Sequence, residues 1–129
     1  MQFQPGFRFS VLDAFILAIA LFLAVFLRSF GWNYAILVGF IVLHFFLFCN
    51  VVRMSRVPEI IWSVVFICLF YCQLNFSALS FNLALLISFL VTVILVFIET
   101  RKPSYHGIGW KRINPKLPEW FSGKQKRND

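Results

Sequence analysis

The sequence predicts an all-α integral membrane protein: four transmembrane helices in an antiparallel bundle, both termini cytoplasmic, followed by a short basic, aromatic cytoplasmic tail. Three observations carry this expectation. Of 129 residues, 60% are hydrophobic and 13% charged, whereas a soluble domain is about half apolar and about a quarter charged. So small a body has no single core in which to hide that much apolar surface, 18 phenylalanines included. The apolar residues fall into four runs, each near the roughly 20 residues that cross a bilayer as a helix. Basic charge is concentrated on one side of those runs.

The first run, Ser10–Phe30, predicts a helix over about 10–30. Ser10 with Asp13 has the spacing of a capping box, in which side chains satisfy amides that the first turn leaves free. Its apolar stretch exceeds that of a secretory signal, and one basic residue, Arg8, precedes it, so the expectation is an uncleaved first span. The second run, Trp32–Asn50, predicts a helix over about 32–50 and contains His44. Val51–Val57 then reads as a tight cytoplasmic turn anchored by Arg53 and Arg56. The third run predicts a helix over about 58–75, with Pro58 suited to a first helical turn and Glu59 to its positive dipole end. The fourth predicts a helix over about 79–99, stopped by Arg101, Lys102 and Pro103. Residues 1–100 thus form the membrane domain and 101–129 the tail.

The tail holds eight Lys or Arg against two acids, which accounts for +6 of the net charge of +7. Counting bases within about 20 residues of a helix end, eight (Arg8, Arg53, Arg56, Arg101, Lys102, Lys111, Arg112, Lys116) oppose Arg28 alone. The positive-inside rule then places both termini in the cytoplasm, with a bacterial cytoplasmic (inner) membrane as the expected location. The outer side is two short turns, which excludes an extracellular receptor or binding protein.

Little in the sequence offers chemistry. Cys49, Cys68 and Cys72 are odd in number and lie in or beside apolar segments, so they read as small packing residues rather than a disulfide framework. Zinc needs three or four convergent ligands, and the lone intramembrane His44 with scattered cysteines does not supply them; no metal site is expected. An intramembrane ionisable residue is a default functional candidate. Polar side chains also serve as contacts between helices, and His44 is expected mainly in that role, with Cys68, Ser63 or Thr92 as partner. A cofactor-binding role for His44, in contact with haem or quinone, is the alternative. No catalytic set is present, so neither an enzyme nor a resident cofactor is expected.

Small residues recur every four positions: Ser80, Ala84, Ser88 and Thr92 in the fourth helix, Ala35 and Gly39 in the second, and Ala14–Ala18 and Ala20–Ala24 in the first. Such rows let helix backbones approach closely, within one bundle or against another subunit. The tail interleaves bases with aromatics. Tyr105, Trp110, Lys111, Arg112 and Trp120, together with Arg53 and Arg56, are expected to contact the membrane surface or a partner. No nucleic-acid module is present, so no nucleic acid is expected as partner.

The functional expectation is a small, non-catalytic accessory, stabilising or assembly subunit of a larger membrane complex. Its partners are the lipid bilayer and other membrane subunits or further copies of itself. The alternatives are an oligomeric small transporter or channel, with His44 and Asp13 on the path, and a redox subunit using His44.

Overall fold

A computed structural model describes residues 4–76 and 79–128. Residues 1–3, 77–78 and 129, which include most of the expected 76–78 connection, lie outside the described residues, as do the side chains of residues 125–128, Lys126 and Arg127 among them.

The described residues form helices and connections, with no strand among them. In chain order the helices are α1 (Val11–Leu27), α2 (Trp32–Phe46), a π-helical continuation of α2 (Leu47–Val52), α3 (Arg56–Phe76), α4 (Phe81–Thr100), a short α5 (Trp110–Ile113) and α6 (Leu117–Asn128). Three of them are long and apolar enough to span a membrane: α2 with its continuation, Trp32–Val52, of 21 residues; α3, also of 21; and α4, of 20. α1 is apolar but shorter, at 17 residues, or about 26 Å at 1.5 Å per residue against roughly 30 Å of hydrocarbon.

The local signals behave as their chemistry requires. Ser10 and Asp13 form the reciprocal capping box, the Asp13 amide donating to Ser10 Oγ at 3.2 Å and the Ser10 amide to Asp13 Oδ2 at 2.6 Å. Ser80, read in the sequence as part of a packing row, instead caps α4, its hydroxyl accepting from the Leu83 amide at 3.3 Å. Pro58 and Glu59 lie in the first turn of α3, which begins at Arg56.

One end of the molecule is closed by bonds between distant segments: Arg8 to Asn50, Ser55 to Glu99 and Ile108 to Val51. There the start of α1, the end of α2, the start of α3 and the end of α4 meet the tail. α1 pairs closely with α2, and α3 with α4. The hydrophobic core joins Phe48, Val52, Met54, Trp62, Phe66, Leu95 and Tyr105, and so draws on the continuation of α2, the turn after it, α3, α4 and the tail, with Leu37, Phe40 and Ile41 of α2 packed against it. α1 contributes nothing to it and has no buried residue.

The turn between α2 and α3 is tighter than the sequence suggests. α2 runs to Val52 as a π-helix and α3 begins at Arg56, leaving residues 53–55 as the connection. Arg53 sits in the left-handed region at φ 53°, ψ 48°. The next amide, of Met54, reaches back six positions to the Phe48 carbonyl at 3.0 Å, the same carbonyl that the Arg53 amide meets, so the wide π-helical turn is closed there and Met54 enters the core. Glycine is the usual residue at that position because it has no Cβ to crowd the backbone.

Candidate functional site

Two constellations hold the polar groups of interest: a column inside the helices built on Trp62, and a cap at the closed end.

Trp62, 1% exposed, stands on α3 between α2 and α4. Its indole Nε1–H donates to Thr92 Oγ1 at 2.8 Å and lies 3.2 Å from the Ser88 carbonyl. Thr92 donates in turn to the Ser88 carbonyl at 3.0 Å, and Ser88 to that of Ala84 at 2.8 Å. Ala84, Ser88 and Thr92 are all buried, so most of this row is consumed in seating α3 against α4. Small side chains there leave the room that the indole fills.

His44 stacks on a face of the same indole, with ring centroids 4.8 Å apart and planes 15° apart. Its Nδ1 lies 2.7 Å from the Phe40 carbonyl. A carbonyl only accepts, so Nδ1 carries the proton and Nε2 is a bare acceptor. Nε2 is buried without a hydrogen-bond partner among the described residues. Phe40 and Phe48 flank the ring, at centroid distances of 4.0 and 6.0 Å. His44 therefore joins α2 to α3 through its ring face. The partners expected from the sequence are engaged elsewhere: Thr92 holds Trp62, Ser63 donates to the Glu59 carbonyl at 2.9 Å, and Cys68 is exposed. A haem or quinone reaching Nε2 would first have to displace this aromatic packing. Among the described residues, no group of three or more His, Cys, Asp or Glu is placed to hold a metal ion.

The cap is a set of backbone bonds between segments far apart in sequence. A helix end leaves its last carbonyls without intrahelical donors. At the end of α2 these are met from two directions: Arg8 N–H donates to the Asn50 carbonyl at 3.1 Å, and Ile108 N–H to the Val51 carbonyl at 2.8 Å. Gly6 N–H donates to the His106 carbonyl at 2.8 Å, joining the two terminal segments directly. Gly107 is a requirement of close approach, since a Cβ there would collide with the Val52 carbonyl and the Tyr105 hydroxyl. Tyr105, 3% exposed, donates its hydroxyl to the Ile108 carbonyl at 2.8 Å, and burial raises its phenol above the usual value of 10.0.

Glu99 closes the cap on the α3–α4 side. The sequence offers it only as a stop signal, yet it is 4% exposed. It accepts from the Ser55 amide at 3.1 Å and the Ser55 hydroxyl at 3.4 Å, and pairs with Lys102. Arg53 donates to the carbonyl of Gln4; partial burial, with Arg8 nearby, lowers its pKa.

The remaining surface candidates divide. Arg56, Lys111, Arg112 and Trp120 are exposed, and Lys124 lies 5.2 Å over the Trp120 ring. Trp110 is half-buried against the core, and Tyr105 belongs to the core rather than to the surface. Ala35 and Gly39 are half-buried, and a Cβ at Gly39 would meet nothing within 4 Å. Sequence reasoning missed Trp62 and Glu99. A lone tryptophan in an apolar run opposite a hydroxyl-bearing row is the signal that points to the first; nothing local marks the second.

No protein-family model matches the chain, and no curated protein or solved structure matches it.

Proposed function

We propose that the chain crosses a bacterial cytoplasmic membrane four times, both termini inside, and serves as a non-catalytic accessory or assembly subunit of a larger membrane complex. The observation that carries the reading is that α1 buries none of its residues within the molecule. Its Ala20 and Ala24 are half-buried, while Ala14 and Ala18 are exposed on another face, free for a second protein. The open notch at Gly39 adds a second place where a foreign helix fits without resistance.

The topology is supported by the Gly6–His106 bond, which brings both terminal segments to the same end. Arg8, Arg53, Arg56, Arg101 and Lys102 belong to that end by sequence and hydrogen bonding, whereas Arg28, stacked 4.4 Å over Trp32, follows the far end of α1. Ser29 and Phe30, which continue past α1, bring the first segment nearer the hydrocarbon thickness.

Affinity capture of the full chain in mild detergent, followed by mass spectrometry, tests the role. Co-purification of a defined membrane partner at fixed ratio is the expected result, and a lone monomer overturns it. A reporter fused after Asp129 tests the topology, and activity only on the outer side overturns that part.

A further inference from the structure

Between the N-terminal segment and α5 lies an open cleft of about 330 Å³, within the range of about 300–1,000 Å³ common for small-ligand sites. Its floor is Phe7, Ile108 and Trp110, and Lys111 and Arg112 line it beside them, with no acidic side chain among the described residues of the lining. Phe7 and Ile108 are 54% and 53% exposed. Both bases are exposed, and neither forms an ion pair among the described residues.

From this arrangement we propose that the cleft binds an anionic phospholipid, its phosphate on Lys111 and Arg112 and its glycerol and upper acyl carbons over Phe7 and Ile108. The inference rests on the membrane-spanning reading of the long helices. Two cations without a counter-charge among the described residues call for an anion. A floor of three large apolar side chains calls for an apolar portion on the same molecule. Phe7 and Phe9 precede α1 directly, so the cleft stands at the level where the helix enters the bilayer, and the nearest molecule with both properties is a lipid of that leaflet. The cleft is also fixed by the cap: Gly6 is bonded to His106 and Ile108 to Val51, so its two walls are held before anything binds.

Native mass spectrometry of the purified full chain tests the proposal, using phosphatidylglycerol and phosphatidylcholine of identical acyl composition. Phosphatidylglycerol is expected to be retained preferentially. The double variant Lys111→Ala/Arg112→Ala is expected to lose on the order of tenfold in that preference. Lys116→Ala/Lys124→Ala removes the same charge outside the cleft and is expected to keep it. Equal retention of the two lipids, or equal loss in both double variants, overturns the proposal. So does full competition by inorganic phosphate at the lipid's own concentration, which would identify a free-anion site. The readout uses the isolated chain, so it stands or fails separately from the existence of a partner subunit.

Discussion

Trp62 and Thr92 are joined by a 2.8 Å hydrogen bond from indole to hydroxyl, buried between α3 and α4. Because the same indole stacks on His44, this one side chain ties α2, α3 and α4 together. Trp62→Ala removes the largest buried side chain and is expected to destabilise the protein by about 3–5 kcal/mol. Thr92→Val keeps the volume and leaves the indole its longer contact with the Ser88 carbonyl, so a cost of about 1 kcal/mol or less is expected. Unfolding in mixed micelles titrated with denaturing detergent measures both.

His44→Phe separates packing from chemistry. It retains an aromatic ring against Trp62 and removes a buried acceptor that has no partner. The Phe40 carbonyl keeps its helical amide. The variant is expected to match the wild type or exceed its stability by about 1 kcal/mol. A loss greater than about 2 kcal/mol in the same titration would mean that Nε2 is satisfied by something in the membrane.

Glu99 is a buried carboxylate whose partners are the Ser55 amide, the Ser55 hydroxyl and Lys102. Glu99→Ala strands a backbone donor at the start of α3 and is expected to cost about 2–3 kcal/mol. Glu99→Gln retains an oxygen for the Ser55 amide and is expected to recover part of that. Amide hydrogen exchange at Ser55 reports the difference directly.

Two glycines make opposite predictions. Gly107→Ala drives a methyl into the Val52 carbonyl, so the tail is expected to lift away. Trypsin should then cut at Lys111 and Arg112 at least several-fold faster than in wild type. Gly39→Ala meets open space and removes a helix-weakening glycine, for an expected gain of about 0.5–1 kcal/mol in the isolated chain. Gly39→Leu is expected to leave that chain folded and to reduce partner co-purification.

Tyr105 gives the cap a dependence on alkaline pH. Burial favours the protonated phenol in the folded state, so its pKa is raised on folding. Its contribution is complete below the unfolded value near 10.0 and is lost as pH rises through the higher folded value. Trypsin sensitivity of the tail is expected to climb above pH 10 in the wild type. Tyr105→Phe loses the bond to the Ile108 carbonyl, costing about 1 kcal/mol at neutral pH, but its sensitivity is expected to rise less steeply there. Equal slopes would remove Tyr105 as the cause.

Much of the helical layout is legible in the sequence because its causes are local. Ser10 with Asp13, Pro58 with Glu59 and the uninterrupted apolar runs each act within a few residues. The pairing of Glu99 with Ser55 is not legible, because 44 positions separate two residues that read as a helix stop and a loop polar group. The destination of the tail is hidden for the same reason: bases and aromatics suit a lipid surface as well as a protein groove, and composition cannot tell them apart.

What the sequence by itself determined is membrane character and helix content, since the transfer of apolar side chains from water and the need to satisfy backbone groups in lipid depend only on composition and run length. The tertiary structure alone decided which small-residue rows are filled and which stay open, that His44 meets Trp62 by its face, and that residues 105–108 close the end of α2. Those outcomes depend on the rotation of each helix about its axis and on bonds between distant segments, neither of which any single stretch of sequence encodes.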